Sequence, residues 1–562
     1  MVHPLRRPFV ATASKSSTPA TLSGALVSPQ HLITPAPRST VTADGTLLLT
    51  SGTQVVAGPG AEAVAGAFAG WLRAGTGWAV PVLTSATGGP VISFGIDSAH
   101  PDGSEAYTLT VDDAGVRLSA AHAAGLFHAS SSLRQLLPAA LESGYTATPA
   151  EDIPVGHVEV RDAPRFAYRG IMLDVARSYY PIDEIRRLID VMTRFKFNVL
   201  HLHLADDQSW RIELDTPEDN PTGIDFTELA RIGKDGAVNR EGWGLGPGRT
   251  GYYTKDDYRL IVAYAAERFV TVVPEFDVPG HVNAALAAIP ELNPDGIATS
   301  PTATGEVGFS TLYNDNPLTR PFVAEVFRQL AELTPGPYLH LGGDEALVTS
   351  KEDFVAMVTD FAASVAATGK TVMGWNEYAQ AELPSGAVIQ YWDGDLEPTL
   401  RQVRENAARV VMSPGKGSYL DQKYVESDPI GLKWAAMGDW DLYYGWDPVR
   451  DGLEEHQVLG VEAPLWSETI RSLDEAHWLI YPRAIALAET AWSDAAAKDA
   501  TEFASRLGRL GERLVALGVT FRPSPDIEWN ATPRDPFEGV DLSAVTALPE
   551  NAGVAGAAGG TE

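Results

Sequence analysis

Eight short apolar runs recur between Gly170 and Leu465, most of them separated by helical patterns, and this alternation restricts the fold more than any other feature. The runs are Gly170–Val175, Asn198–Leu204, Val270–Phe276, Pro337–Leu341, Thr371–Trp375, Val388–Trp392, Val410–Ser413 and Val458–Leu465. Amphipathic spacing predicts helices over Ile182–Phe195, Lys255–Arg268, Pro321–Leu333 and Ser350–Thr368. Nearly continuous apolar runs suit strands buried on both faces, and strand–helix alternation builds a parallel sheet. Eight repeats predict a closed (β/α)8 TIM barrel. A doubly wound sheet is the alternative, but no glycine-rich phosphate loop follows the first strand.

A chain of 562 residues exceeds one ordinary core, so a second domain is expected. Residues 31–155 read as a smaller α+β domain ahead of a barrel over 160–525. Its predicted strands are Thr46–Thr50, Val91–Gly95 and Tyr107–Val111, and its helices Ala61–Leu72 and Ala121–Leu137. Residues 1–30 read as a poorly ordered lead-in and the Ala- and Gly-rich stretch 541–562 as a disordered tail. Two connections are overlong, Arg211–Tyr253 and Gly415–Gln457. The second is rich in Trp and Tyr, and long loops of this kind usually form functional rims.

Seventy-three acidic against 42 basic residues give a net charge of −31, which argues against nucleic acid or an anionic membrane as partner. No cysteine is present, so disulfides and thiolate metal sites are excluded. The first 35 residues hold no apolar run of signal-peptide length and nothing reads as a membrane span, so a cytoplasmic location is expected.

Barrels of this kind carry their chemistry at the C-terminal ends of the strands. Those ends hold Asp174 and Arg177, then Asp206, then Asp277 and His281, then Asp344 and Glu345. Trp375, Trp392, Tyr419 with Asp421, and Trp466 with Glu468 follow. The fourth end is the most informative. Tyr338–Ala346 runs apolar residues into Gly342-Gly343 and then two adjacent acids. Glycines there let the backbone turn sharply and a ligand come close. Neighbouring strand residues point to opposite faces, so the two acids converge on one ligand only where the strand has ended. Two acids in different surroundings can divide acid and base roles. An isolated Asp-Glu after Gly-Gly would read as a surface turn, and a polar rim explains charges at single strands. Neither predicts Trp at three ends. Acids, one Arg and an aromatic wall describe a sugar site, because carboxylates and guanidinium bond hydroxyls while ring faces cover a pyranose.

Asp162–Phe166 with Arg169–Arg177, then His201–Trp210, Pro274–His281 and His340–Glu345 resemble the β-N-acetylhexosaminidases of glycoside hydrolase family 20, in family order over residues 35–520. The resemblance implies exo-acting removal of terminal β-linked N-acetylhexosamine with retention, in which the substrate's own acetamido oxygen attacks C1 and forms an oxazolinium ion. It implies Glu345 as acid and then base, Asp344 as the group holding the acetamido N–H, and Tyr419 bonding the acetamido carbonyl. Arg177 and Glu468 would bind outer hydroxyls and Asp421 the C6 region, with Trp375, Trp392 and Trp466 lining the pocket. His281, linked to Asp206, would tune Glu345, with Asp277 nearby. No cofactor or metal is implied, and the partner is an oligosaccharide ending in N-acetylhexosamine.

Two rivals stand beside this reading. His201, His203, His281, His340 and Asp344 offer metal-ligand types for a metal-dependent barrel hydrolase, but His201 and His203 fall within their strand rather than at its mouth. A non-catalytic sugar-binding protein would keep the Trp wall and lose the acid, and Glu345 is present. The Asp-x-Asp-x-Glu spacing of chitinase-like barrels is absent.

Overall fold

The computed structural model describes residues 33–540 and 542, apart from 101–102, 147, 240–242 and 451. The expected lead-in 1–30 and, but for Leu542, the expected tail 541–562 lie outside the described residues.

The N-terminal unit is one mixed sheet of seven strands. These are β1 (Ser39–Leu49), β2 (Gln54–Ala57), β3 (Val82–Leu83), β4 (Val91–Ile96), β5 (Tyr107–Asp112), β6 (Gly115–Ala120) and β7 (Ile153–Asp162), in the order β1-β7-β5-β6-β4-β2-β3. Helices Glu62–Thr76 and Ala123–Leu136 bury Phe68, Leu72, Leu126 and Leu133 in the core of this unit. β7 pairs antiparallel with both β1 and β5. The sheet therefore runs through the interval 155–160 in which the sequence places the boundary. Pro154 and Gly156 disguise the start of the strand, because both are depleted from strand interiors, although Val155, Val158 and Val160 are buried.

The second unit is a closed barrel of eight parallel strands, as the apolar runs predict. They are β8 (Tyr168–Asp174), β9 (Val199–His203), β10 (Thr271–Glu275), β11 (Tyr338–His340), β12 (Thr371–Trp375), β13 (Val388–Tyr391), β14 (Arg409–Met412) and β15 (Val458–Leu465). β15 pairs with β8 and closes the ring. The outer helices begin where side-chain caps satisfy free backbone N–H groups: Thr254 and Asp257 form a capping box, and Ser350 accepts from the Asp353 N–H. Among the described residues, no helix is long and apolar enough to cross a membrane.

Strand periodicity of two fills the barrel interior in layers. The lowest is apolar, with Tyr168, Val199, Val273, Met373, Val388, Val411 and Leu459. The uppermost holds Met172, Trp375, Tyr419 and Trp466. Between them sit His201, Glu275, Gln390 and Glu462, fully buried. A charged layer inside a barrel must be satisfied internally, and this one supports the mouth above it.

The two units are joined through Asp162 at the end of β7. Its carboxylate accepts from Lys196 Nζ and Tyr107 OH, each at 2.7 Å, and from Trp492 Nε1 at 2.9 Å. Arg513, in the helix Gly511–Ala516, donates to Glu142 at 2.8 Å.

Candidate active site

After β11 the chain turns through Gly342 (φ 69°) and Gly343 (φ 97°). A Cβ on Gly342 would lie 1.9 Å from an Asp277 carboxylate oxygen, so only glycine leaves that carboxylate its place. The Gly343 N–H donates to the same oxygen at 2.9 Å. The turn delivers Asp344 and Glu345 side by side to the mouth. Glu345 (φ 45°) and His281 (φ 55°) both adopt the left-handed backbone that non-glycine residues rarely occupy, a strain that persists where the surroundings impose it.

One imidazole connects the acids. His281 Nε2 lies 3.5 Å from Glu345 Oε2 and 3.8 Å from Asp344 Oδ2, and its Nδ1 is 3.2 Å from Asp206 Oδ1. Asp206 Oδ2 also meets Arg177 NH2 at 2.7 Å and His203 Nε2 at 2.7 Å. Burial opposes charge on His281, but Asp206 outweighs it and holds the imidazole well above its usual range, as a cation. Burial pushes the Glu345 carboxyl up against the pull of His281, which suits a proton donor. Burial and then the Asp344 charge push Asp277 well up. The two acids at the turn therefore sit in unlike surroundings. That is the condition for separate roles.

The pocket is lined by Arg177, His281, Asp344, Glu345, Trp392, Tyr419, Trp466 and Glu468, all singled out from the sequence. Trp392 stacks on Tyr419 at 6.2 Å and 24°, and the Arg177 guanidinium lies 5.0 Å over the Trp466 ring. Burial, with Asp344 nearby, keeps the Tyr419 hydroxyl protonated and able to donate. Asp344 Oδ1 and Glu468 Oε2 are buried without hydrogen-bond partners, as expected of atoms that take hydroxyl or amide hydrogens from a ligand.

Four of the expected residues lie behind this surface. Trp375 is fully buried beneath it, 5.8 Å from Trp466, with Nε1 donating to Glu275 at 2.8 Å. Asp206 and Asp277 are 1% exposed; Asp206 meets His281 Nδ1, and Asp277 accepts from the Gly343 N–H. Asp421, also 1% exposed, accepts from Gln422 at 2.8 Å, and its Oδ1 is unpartnered.

Sequence reasoning missed Trp434, Leu432 and Val307, which also line the pocket. Trp434 packs edge-on against Tyr419 at 5.6 Å and comes from the Trp-rich loop, whose composition was the available signal. Glu377 was also passed over. It accepts from Trp392 Nε1 with both oxygens, at 3.1 and 3.0 Å, and burial followed by the Asp344 charge pushes its carboxyl up to about 8.

The charged layer below is centred on Glu275, which meets His203 Nδ1 at 2.5 Å, His340 Nδ1 at 3.1 Å and His201 Nε2 at 3.2 Å. His201 Nδ1 reaches Glu462 at 2.9 Å. His201, Glu275 and His340 could present metal-ligand atoms, as could Asp206, Asp207 and His281, each set within 4.8 Å. Here the carboxylates Glu275 and Asp206 are met by imidazoles and by Arg177.

A pH prediction follows from this layer. Burial opposes charge on His203 and His201, but Glu275 and Asp206 for the first, and Glu462 and Glu275 for the second, push them up to about 10 and about 9. Unfolded histidine titrates near ~6.5, so between there and about pH 9 the folded state holds protons the unfolded state has lost. Glu468 (about 7) and Glu377 (about 8), raised first by burial, act in the same direction. The two glutamates begin to lose their contribution above ~4.5 and the histidines above ~6.5, so stability is expected to fall as pH rises from 6.5 to 10. Melting temperatures measured across that window test this, and a flat profile would contradict it.

Comparison with known proteins agrees with the geometry. The family model described as Glycosyl hydrolase family 20, catalytic domain, matches residues 166–354 and 349–495, and that of the family's domain 2 matches residues 30–163. A β-N-acetylhexosaminidase from Cellulomonas fimi is 36% identical over 508 residues, covering 89% of this chain and 98% of that protein. Among solved structures, the GH20 β-N-acetylhexosaminidase from Streptomyces coelicolor A3(2) has a TM-score of 0.82 at 39% identity, covering 90% of this chain and 99% of its own. A mutant Streptomyces plicatus β-hexosaminidase in complex with the product GlcNAc has a TM-score of 0.82 at 40% identity, covering 90% and 98%.

Proposed function

The chain belongs to glycosyl hydrolase family 20 and is a β-N-acetylhexosaminidase, and from that premise we propose how its residues divide the reaction. It is an exo-acting, retaining glycosidase that removes terminal nonreducing β-linked N-acetylhexosamine by substrate-assisted catalysis. In the first step the acetamido oxygen attacks C1, the C1–O bond to the leaving group breaks, and Glu345 gives its proton to the departing oxygen. In the second, water attacks C1, Glu345 takes a proton from it, and the oxazolinium ring opens. Asp344 holds the acetamido N–H and offsets the positive charge that develops there, while Tyr419 donates to the acetamido oxygen. Such positioning converts a bimolecular attack into an intramolecular one, worth on the order of 10⁵ M in effective concentration. Arg177 and Glu468 bind outer hydroxyls, Asp421 serves the C6 side, and the Trp walls cover the ring.

The observation that carries these roles is the placement of both acids about one imidazole at the mouth, 3.5 and 3.8 Å from His281 Nε2. A groove of about 640 Å³ opens from Glu345 and Trp392 past Leu347 and Lys351 towards Asp395. We assign the leaving group to it, since Glu345 borders both spaces. A pocket walled by Trp392, Trp434 and Trp466 would admit one sugar and no through-running chain. Hydrolysis of a chito-oligomer is therefore expected to release monosaccharide alone from the nonreducing end. Internal cleavage products that appear before monomer would overturn this. Paired chromogenic N-acetylglucosaminide and N-acetylgalactosaminide substrates would then measure the sugar preference.

A further inference from the structure

Far from the barrel mouth, a cavity of about 660 Å³ lies between the N-terminal sheet unit and the barrel. That is the size of a small-molecule site. One wall is apolar: Phe68 and Trp71 on the helix Glu62–Thr76, and Phe127 on the helix Ala123–Leu136. Facing it is the barrel, with Arg187 on the helix Ile182–Met192 and Arg194 in the turn after it.

Charge in the cavity runs against the rest of the molecule. Four guanidinium groups, of Arg134, Arg187, Arg194 and Arg268, border it with three carboxylates, in a chain of net charge −31. The carboxylates are already taken. Glu142 pairs closely with Arg134 and also accepts from Arg513 at 2.8 Å and from Trp71 Nε1 at 3.2 Å. Asp190 accepts from Arg268 Nε at 2.6 Å, and Glu267 lies 3.5 Å from Arg268 NH1. Among the described residues Arg187 donates only to the Gly518 carbonyl, at 3.3 Å. Arg194 has no carboxylate partner among the described residues, and its Nε is shut off from solvent with no hydrogen-bond acceptor. Burial and the neighbouring Arg134 charge push its guanidinium down to about 9, against the weaker pull of the Glu142 and Asp190 charges nearby. At the rim, Phe269 holds its ring 5.6 Å from Phe127 from a left-handed backbone (φ 58°), a conformation costly for a bulky side chain.

We infer that this interdomain cavity binds a small amphipathic anion, a carboxylate or phosphate monoester on an apolar body, with Arg194 and Arg187 holding the head and Trp71, Phe68 and Phe127 the body. Guanidinium groups present paired N–H donors that match carboxylate and phosphate oxygens, and aromatic walls take the apolar part. A ligand seated across both units stabilises their joint folded state by mass action and leaves the chemistry at the mouth untouched.

The test is calorimetric titration and thermal melting of the full chain with octyl phosphate and octanoate, with octanol and inorganic phosphate as controls. Both amphipathic anions are expected to bind saturably with one site per chain. At a hundredfold excess over Kd they should raise the melting temperature by about 3 °C. Arg194→Met should weaken binding at least ~10-fold, the usual worth of a charged hydrogen bond, with kcat for a chromogenic N-acetylglucosaminide unchanged. Arg187→Met, at an exposed position, gives a second reading should Arg194→Met melt early. No saturable binding of either anion, or equal affinity in both variants, would refute the assignment. Octanol binding as tightly as octyl phosphate would reduce the cavity to an apolar crevice, and phosphate binding as tightly would remove the role of the aromatic wall; either result overturns the proposal.

Discussion

Glu345→Gln is expected to lower kcat/KM about 10²–10⁴-fold for substrates whose leaving group must be protonated, the range general acid–base catalysis contributes. In activation free energy that is about 3–5 kcal/mol. Glutamine keeps the shape and a hydrogen bond but has no proton to transfer. A nitrophenolate leaves without help, so the loss on bond cleavage should shrink as the leaving group becomes more acidic. Hydrolysis of the intermediate, in which the same carboxylate acts as base, should then become the slow step, and added azide should restore turnover because an anionic nucleophile needs no base. The folded chain should be unharmed, since among the described residues Glu345 forms no ion pair other than its 3.5 Å approach to His281. Equal losses across leaving groups of widely different pKa, or no response to azide, would remove Glu345 from the acid–base role.

Asp344→Asn should cost about 10²–10³-fold in kcat with little change in ground-state binding, because the charge it opposes develops only towards the transition state. Asparagine can still meet the acetamido group but cannot balance an oxazolinium ion. A thiazoline mimic of that ion should inhibit the native enzyme strongly and the variant weakly, and a β-glucoside should be a poor substrate for both. If Asp344 instead attacked C1 itself, a glycosyl ester would accumulate on it. Detection of that ester by mass spectrometry, or indifference to the thiazoline, would reverse the assignment.

The barrel was legible because its strands are apolar throughout and its helices periodic, two signals that tertiary context rarely overrides. The N-terminal sheet was less so. β3 has two residues and β7 starts with a proline and a glycine within its first four positions, too little pattern for period-two reading. At the site, strand ends located the acids and the wall, since the fold itself dictates where such ends gather. What sequence could not supply was depth. Trp375 and Trp466 look equivalent as letters, yet the first is sealed under the floor by its bond to Glu275 and the second is 9% exposed in the wall. Trp434 and Glu377 owe their positions to long-range packing of a loop and to an indole N–H; the Trp-rich composition of the loop marked the region but not the residue.

The stitching of the N-terminal unit to the last helices has a consequence for how the molecule is made. Asp162 waits for Trp492, 330 positions later in the chain, and Glu142 for Arg513, 371 positions later. β8 waits for β15 in the same way. At ~5–20 residues per second, a ribosome takes tens of seconds to a minute or more to deliver those partners. For that interval the N-terminal sheet can form, while the first barrel strands have exposed edges and both acids of the turn stand in an unclosed ring. The groups at the barrel mouth thus come together late, and a chain cut short of residue 458 loses the ring's last seam together with the Trp492 and Arg513 links.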